Sequence, residues 1–300
     1  MKDIQKGIFI YEDYLEDVQI ASLPTELAIS DRISNEAVLI RLLLGTLHIK
    51  YFIGERQRAL DQKNNYSIPG SIENDMLAEE RIKDFFSLEE FDNTEKESIN
   101  KYLKFNRRNH FIHEELLSEL TNAIIWQKQS PIESFVHIYR TLEFMSYSFP
   151  LIYASKSMDY RGSYEKLKKF MSGDSDGELK FFKTFLKELF KDNILYAYEF
   201  DILFPSDNIN LILAELQRVI SENYYIFEGE TMKIKFANVA DLLITLRNRY
   251  FHMLIGKGTD NFYDIRYDKR ELFSVMNPVF INWLTMIYKE IVVYSAGIII

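Results

Sequence analysis

The chain has 300 residues, of which 47% are hydrophobic and 15% aromatic, so it can bury a sizeable core and is not a disordered protein. It contains no cysteine, which excludes disulfides, thiolate metal sites and cysteine nucleophiles. Its net charge of -9 argues against a protein that coats nucleic acid without specificity, although an acidic enzyme can still engage RNA through a local basic pocket.

The sequence predicts neither export nor membrane insertion. The opening residues lack the apolar core of a signal peptide. The longest apolar run, at residues 291–300, is about half the ~20 residues that span a bilayer. We therefore expect a cytoplasmic protein that does not associate with membranes.

Helical periodicity dominates the chain, and only 11 glycines and 6 prolines interrupt it. A short strand is possible at residues 6–11. The predicted helices cover residues 35–60, 75–86, 111–120, 132–149, 160–171, 178–190, 209–225, 237–255 and 271–296. This pattern predicts an all-α fold. His48 falls on an apolar helix in this scheme, where a buried structural histidine is the expected interpretation.

A loosely patterned acidic stretch at residues 87–98 is the best candidate for a domain boundary. We accordingly divide the chain into a mostly helical N-terminal region, residues 1–100, and a helical domain, residues 101–300.

One predicted helix combines three side chains suited to phosphate chemistry: Arg247, Asn248 and His252. We call them the first motif. Asn248 and His252 are four residues apart and share a helix face, and the long Arg247 side chain can reach the imidazole. The same spacing recurs at Arg108, Asn109 and His113, the second motif. Random placement of these residue types would produce about 0.01 such matches in this chain.

The first motif contains the groups that metal-independent RNA cleavage requires. Histidine can serve as base or acid near neutral pH, because its ordinary pKa is about 6.5. Arginine binds two phosphate oxygens at once and stabilises the charge that develops on them. The amide of Asn248 can orient either group. No metal-ligand spacing, phosphate-binding glycine loop or serine nucleophile motif is evident, so no cofactor and no metal are expected.

These residues resemble the HEPN domain family (higher eukaryotes and prokaryotes nucleotide-binding), whose motif is an arginine, four to six residues and a histidine, often with a polar residue after the arginine. The resemblance covers residues 101–296 and includes the predicted helix that carries Tyr139 and Glu143. It implies a HEPN-like helical bundle with an additional N-terminal region, and an endoribonuclease of a toxin–antitoxin or anti-phage defence system. It also implies a homodimer in which two first motifs surround one scissile phosphate.

Within this resemblance, His252 would act on the ribose 2′-hydroxyl, Arg247 would hold the phosphate and Asn248 would position both. The implied partners are RNA and an antitoxin or other defence-system protein. Arg107 and Arg249 are further candidates for RNA contacts. The second motif has three interpretations: a second active half, a basic RNA-contact helix that includes His110, or a solvated helix start in which His113 caps or packs.

Structural interpretations compete with these functional ones. The first motif could be an internal cluster in which Arg247 pairs with an acid such as Asp241. For Tyr139, Arg140 and Glu143, core-edge packing with a salt bridge is the expected role. At the level of the whole chain, the alternative is a catalytically silent HEPN-like module that binds a protein, nucleotide or nucleic acid. A third interpretation is an enzyme acting on a nucleotide.

Overall fold

The computed structural model describes residues 3–70, 76–155, 160–171, 178–204, 225–228, 230–251 and 269–299, together with residues 212 and 216. Within these residues the chain combines long helices with two antiparallel sheets. The strands are β1 (Asp3–Lys6), β2 (Phe9–Asp13), β3 (Leu47–Ile53), β4 (Arg56–Gln62), β5 (Glu199–Leu203), β6 (Tyr225–Glu228) and β7 (Thr231–Lys235). The helices are α1 (Asp17–Ser22), α2 (Asn35–Leu43), α3 (Ala78–Phe85), α4 (Asn93–Asn106), α5 (His110–Gln129), α6 (Pro131–Ser155), α7 (Tyr160–Met171), α8 (Glu178–Leu189), α9 (Val239–Phe251) and α10 (Lys269–Ile299).

The first sheet has the order β1-β2-β3-β4, and every pair of neighbours is antiparallel. Residues that alternate along β3 point to opposite faces: Leu47, Ile49 and Tyr51 are buried, whereas His48 and Lys50 are not. The buried face packs towards α2 and α5. On that side the hydroxyl of Tyr11 lies 2.7 Å from that of Thr121 on α5.

The second sheet has the order β5-β7-β6 and is also antiparallel. Its inward residues alternate in the same way, with Phe200 and Ile202 on β5 matched by Met232 and Ile234 on β7. This sheet leads directly into α9, because a short 3-10 turn, Phe236–Asn238, joins β7 to that helix.

Three long helices, α5, α6 and α10, form the centre of the helical part. Trp283 on α10 is fully buried and donates its indole N–H to the carbonyl of Phe236, 3.0 Å away. Pro150 lies inside α6 and Pro278 inside α10. The prediction that Pro150 ends its helix was therefore wrong, since α6 continues to Ser155.

The all-α prediction was also wrong, and so was the mostly helical N-terminal region. The helix predicted for residues 35–60 ends at Leu43 because Gly45 turns the chain with a φ of 71°. The remaining residues form the β3–β4 hairpin, and His48 lies on β3, where its Nδ1 is 2.5 Å from Asp61. The possible strand at residues 6–11 corresponds to the β1–β2 hairpin, with Gly7 in its turn.

One hydrophobic core extends from the first sheet to α10. The predicted boundary at residue 100 falls inside α4. The helix predicted for residues 209–225 lies largely outside the described residues. No helix in the described part of the chain has both the length and the apolar character required to cross a bilayer.

Candidate phosphate-binding site

Helix α9 carries the described part of the first motif. Its apolar residues Val239, Leu242, Leu243 and Leu246 recur at helical spacing and are at most 1% exposed. They anchor the helix in the core. Arg247 follows at the edge of this apolar face, where it is partly exposed, and Asn248 lies on the exposed side of the helix, near its end. His252 and the side chain of Arg249 lie outside the described residues.

The guanidinium of Arg247 rests on an aromatic ring. Its Cζ atom lies 4.8 Å from the ring centroid of Tyr139 on α6, a distance at which the cation is attracted to the ring face. One N–H, from Nη1, donates to the Oδ1 atom of Asn248 at 3.1 Å. The asparagine of the motif therefore contacts the arginine directly.

A carboxylate of α6 also approaches this guanidinium. Nη2 of Arg247 is 3.9 Å from Oε1 of Glu143, which is longer than a charge-assisted hydrogen bond of about 2.7–2.9 Å. Arg247 is 26% exposed and Glu143 48% exposed, so water screens their attraction. Asp241, which we considered as the partner of Arg247, forms its ion pair with Lys183 on α8.

An acidic cleft of about 300 Å³ adjoins Glu143. Its lining includes Glu115 and Glu119 of α5 together with Arg140 of α6. Glu119 is largely buried and has two cationic or titratable neighbours: His137 Nδ1 is 2.7 Å away, and Arg140 Nη2 forms an ion pair with it at 3.0 Å. The carboxylates repel phosphate from this cleft, so an anion would approach Arg247 from its other side.

In the second motif, the arginine and the histidine have separate surroundings. Arg108 is exposed, lies 3.9 Å above the ring of Phe105 and donates its Nε–H to the carbonyl of Phe105 at 3.3 Å. Asn109 donates to the side chain of Asn106 at 2.6 Å. His113 is only 6% exposed and has its partners in the protein interior.

The surroundings of His113 form a buried polar network. Its Nδ1 is 3.3 Å from the hydroxyl of Tyr288, and its Nε2 is 3.2 Å from the side-chain nitrogen of Asn106. The carboxylate of Glu36 accepts from Tyr102 at 2.5 Å and from Asn106 at 2.8 Å. Burial lowers the pKa of His113, while the nearby Glu36 opposes this shift. Burial also raises the pKa of Tyr102 and Tyr288 well above the ordinary value.

Sequence analysis did not identify Glu36, Tyr102, Asn106 or Tyr288. Glu36 looks like an ordinary acidic residue in the first turn of a helix, where carboxylates favour the helix dipole. The other members lie on α4 and α10. Tyr102 and Asn106 are four residues apart on α4, but no local spacing connects them to Glu36 or Tyr288, so only the packing of the three helices with α5 reveals the network.

No protein-family model, curated protein or solved structure matches this chain.

Proposed function

We propose that this protein is a metal-independent endoribonuclease of the HEPN type, with Arg247, Asn248 and His252 as its catalytic residues. The observation that carries the proposal is the state of Arg247. Its guanidinium is oriented by Tyr139 and Asn248 at the end of a well-anchored helix. The carboxylate of Glu143 is too distant to bind it tightly. A guanidinium has five N–H donors, and within the described part of the chain Asn248 accepts one of them, which leaves donors for phosphate oxygens.

The proposed reaction needs no group beyond the chain and the RNA. His252 removes the proton from the ribose 2′-hydroxyl, whose oxygen then attacks the adjacent phosphorus. The bond from phosphorus to the 5′-oxygen breaks, and that oxygen takes a proton from a second acid, which we assign to His252 of a second copy. Arg247 stabilises the charge on the phosphoryl oxygens. The products carry a 2′,3′-cyclic phosphate and a 5′-hydroxyl.

The further elements of this proposal follow from the family resemblance. The protein acts as a homodimer in the cytoplasm and serves as the toxin of a toxin–antitoxin pair or as an effector of anti-phage defence. Arg249 contributes a phosphate contact beside the first motif. A partner protein inhibits the ribonuclease activity until the defence response is triggered.

His252→Ala tests the assignment. We expect this variant to lose at least about 100-fold in RNA cleavage, because general acid–base catalysis contributes roughly that much, while its thermal midpoint stays unchanged. The matched control is His48→Ala, which removes a partly exposed imidazole on β3, outside both motifs and away from Arg247 in the sequence. Purified wild-type protein should cleave RNA in EDTA. Cleavage that persists in His252→Ala, or that EDTA abolishes, contradicts the mechanism.

A catalytically silent helical module remains the second candidate, favoured by the contact between Arg247 and Glu143 and by the acidic cleft beside it. In that case Arg247 has a structural role and the acidic cleft binds a basic partner. Total RNA incubated with wild-type protein distinguishes the two functions, since a binding module leaves the RNA intact.

A further inference from the structure

A basic and aromatic surface forms where α4 meets α5. The 3-10 turn Arg107–Asn109 joins the two helices and turns the chain sharply there. We call this surface the basic corner, and it consists of Lys6, Arg32, Phe105, Arg107, Arg108, His110 and Phe111. Its two phenylalanines are large and exposed, at 45% for Phe105 and 71% for Phe111.

Each phenylalanine of the basic corner is paired with a neighbouring cationic or titratable group. The guanidinium of Arg108 lies 3.9 Å from the ring centroid of Phe105. The rings of His110 and Phe111 are 3.9 Å apart between centroids, with their planes tilted by 36°. Each exposed phenylalanine ring therefore has a second flat group close beside it.

A pocket of about 180 Å³ opens within the same surface. Its exposed lining consists of Arg32, Arg107 and His110, with the partly buried Lys6. Its buried lining is polar and includes Asn106 and His113. This volume is below the 300–1,000 Å³ typical of sites for whole small-molecule ligands, but it accommodates a single phosphate group.

The charges of the basic corner contrast with a chain whose net charge is -9. Glu26 partly neutralises the positive charge of the basic corner, because the carboxylate of Glu26 is 2.5 Å from Arg107 Nη2 and 3.9 Å from Lys104 Nζ. One carboxylate therefore faces two cations. Glu36 in the pocket is 2% exposed, and its two oxygens accept hydrogen bonds from Tyr102 and Asn106. Lys6, Arg32 and Arg108 add further positive charge on this surface.

We propose that the basic corner binds a single-stranded RNA segment, with one backbone phosphate in the pocket and bases stacked on Phe105 and Phe111. Cations that follow a phosphate backbone, together with exposed aromatic rings, are the combination that proteins use to hold single strands. The bases of a duplex are stacked on one another. The phosphates of a duplex can therefore contact the cations of the basic corner, but its bases cannot stack on the two phenylalanine rings. The inference depends on the proposed function only for the choice of RNA over DNA.

The test measures binding separately from cleavage. Full-length protein carrying His252→Ala is titrated against a fluorescein-labelled 12-nucleotide single-stranded RNA, a 12-base-pair RNA duplex and the equivalent single-stranded DNA, by anisotropy at several salt concentrations. In this background we compare two variants of the basic corner, each with a control at an exposed site elsewhere. Tyr160→Ala is the control for Phe111→Ala, and Arg58→Gln is the control for Arg32→Gln. Circular dichroism verifies that each variant is folded.

We expect Phe111→Ala to weaken single-stranded RNA binding about tenfold, because stacking on an aromatic ring contributes roughly that much per base. Arg32→Gln should reduce the slope of log affinity against log salt by about 0.7, the value for one phosphate contact on a single strand. The two control variants should bind like their parent.

Three outcomes overturn the proposal: no binding, equal losses in the controls, or duplex binding as tight as single-strand binding. Tighter binding of DNA than of RNA contradicts the choice of nucleic acid. Failure here is distinguishable from failure of the proposed function. If wild-type protein cleaves RNA but the corner variants bind normally, only the basic corner is rejected; if RNA binds at the corner but is never cut, the nuclease assignment is rejected.

Discussion

Arg247 has an aromatic ring, an amide and a carboxylate as neighbours, and they affect its availability to a substrate differently. Tyr139 and Asn248 orient the guanidinium without neutralising it. Glu143 competes with a phosphate for the same donors, although only at 3.9 Å and in contact with water. Replacing this carboxylate therefore separates a structural role of the ion pair from a catalytic role of Arg247.

Glu143→Gln is expected to raise kcat/KM for RNA cleavage about two- to fivefold, because it removes a competitor worth at most about 1 kcal/mol at an exposed site. Its thermal midpoint should change by less than about 3 °C. Glu133→Gln, an exposed acid in the first turn of the same helix, is the control. A large loss of stability together with unchanged activity would indicate that the ion pair with Arg247 is structural.

His113 should make the stability of the protein depend on pH. Burial lowers the pKa of His113, so its neutral form is favoured in the folded state. In the unfolded chain, the imidazole of His113 becomes protonated as the pH falls below about 6.5. The free energy of unfolding should therefore decrease between pH 7 and pH 5, by at most about 1.4 kcal/mol per pH unit from this group. The groups that contact the imidazole are Glu36, Asn106 and Tyr288.

The measurement is urea unfolding of wild type and His113→Gln at pH 5, 6 and 7. We expect the free energy of unfolding of His113→Gln to decrease less between pH 7 and pH 5 than that of wild type. The control His110→Gln, on the exposed surface, should show the same decrease as wild type. An identical pH dependence in wild type and His113→Gln would contradict the assignment to this histidine.

At the scale of elements, the end of α2 determines whether residues 47–62 become helix or sheet. Gly45 has a φ of 71°, and a Cβ atom added there would lie 2.5 Å from the backbone carbonyl of Lys63. Gly54, in the turn between β3 and β4, has a similar φ of 59° with nothing within 4 Å of the added atom. Replacing Gly54 with alanine therefore tests the cost of the left-handed backbone alone, whereas the same change at Gly45 adds steric crowding to that cost.

Gly54→Ala should cost about 1–2 kcal/mol, the price of a left-handed conformation for a residue with a Cβ atom. Gly45→Ala should cost more than about 3 kcal/mol, because a backbone clash adds to the same conformational term. Comparison of their urea midpoints with wild type tests this difference. Equal losses for the two variants would show that crowding by Lys63 is unimportant.

At the scale of the whole molecule, the N-terminal sheet and the helical part stabilise one another. Asn282 on α10 accepts from the backbone N–H of Gly70 at 3.2 Å and donates to the carbonyls of Tyr66 and Ile68 at 2.6 and 2.9 Å. Tyr11 contacts Thr121, and Glu36 contacts side chains of α4. These buried polar contacts leave unsatisfied groups if either part is removed.

A fragment of residues 101–300 should therefore not fold by itself. It would expose the apolar surface of α5 that covers the first sheet. It would also leave Asn282 without its partners at residues 66–70 and the buried His113 without Glu36. We expect reduced ellipticity and no cooperative thermal transition, compared with full-length chain as the control. Co-expression with residues 1–100 should recover a folded complex. A fragment that melts cooperatively near the full-length midpoint would demonstrate an independent domain.

The sequence by itself determined the long helices and the composition of the candidate site. Periodicity over many residues identified α7 and α8 to within one residue of their ends and α10 to within three, because an apolar stripe repeated over three turns is a strong signal. The predictions for α5 and α6 ended nine and six residues too early. It failed for β3 and β4. The alternation of Leu47, Ile49 and Tyr51 is short, and Ile49 also continues the helical spacing of Val38 and Leu42, so only the left-handed turn at Gly45 separates helix from strand.

The tertiary structure decided which side chains meet. Arg247 and Asn248 are adjacent in the chain, and their contact could be anticipated, but Tyr139 and Glu143 reach Arg247 only because α9 packs beside α6. The two copies of the motif have the same residue types at the same spacing. Folding makes them different: it leaves Arg247 partly exposed at the end of α9, and it buries His113 among Glu36, Asn106 and Tyr288. Burial and long-range packing set the charge state and accessibility of a side chain, and local spacing does not encode either.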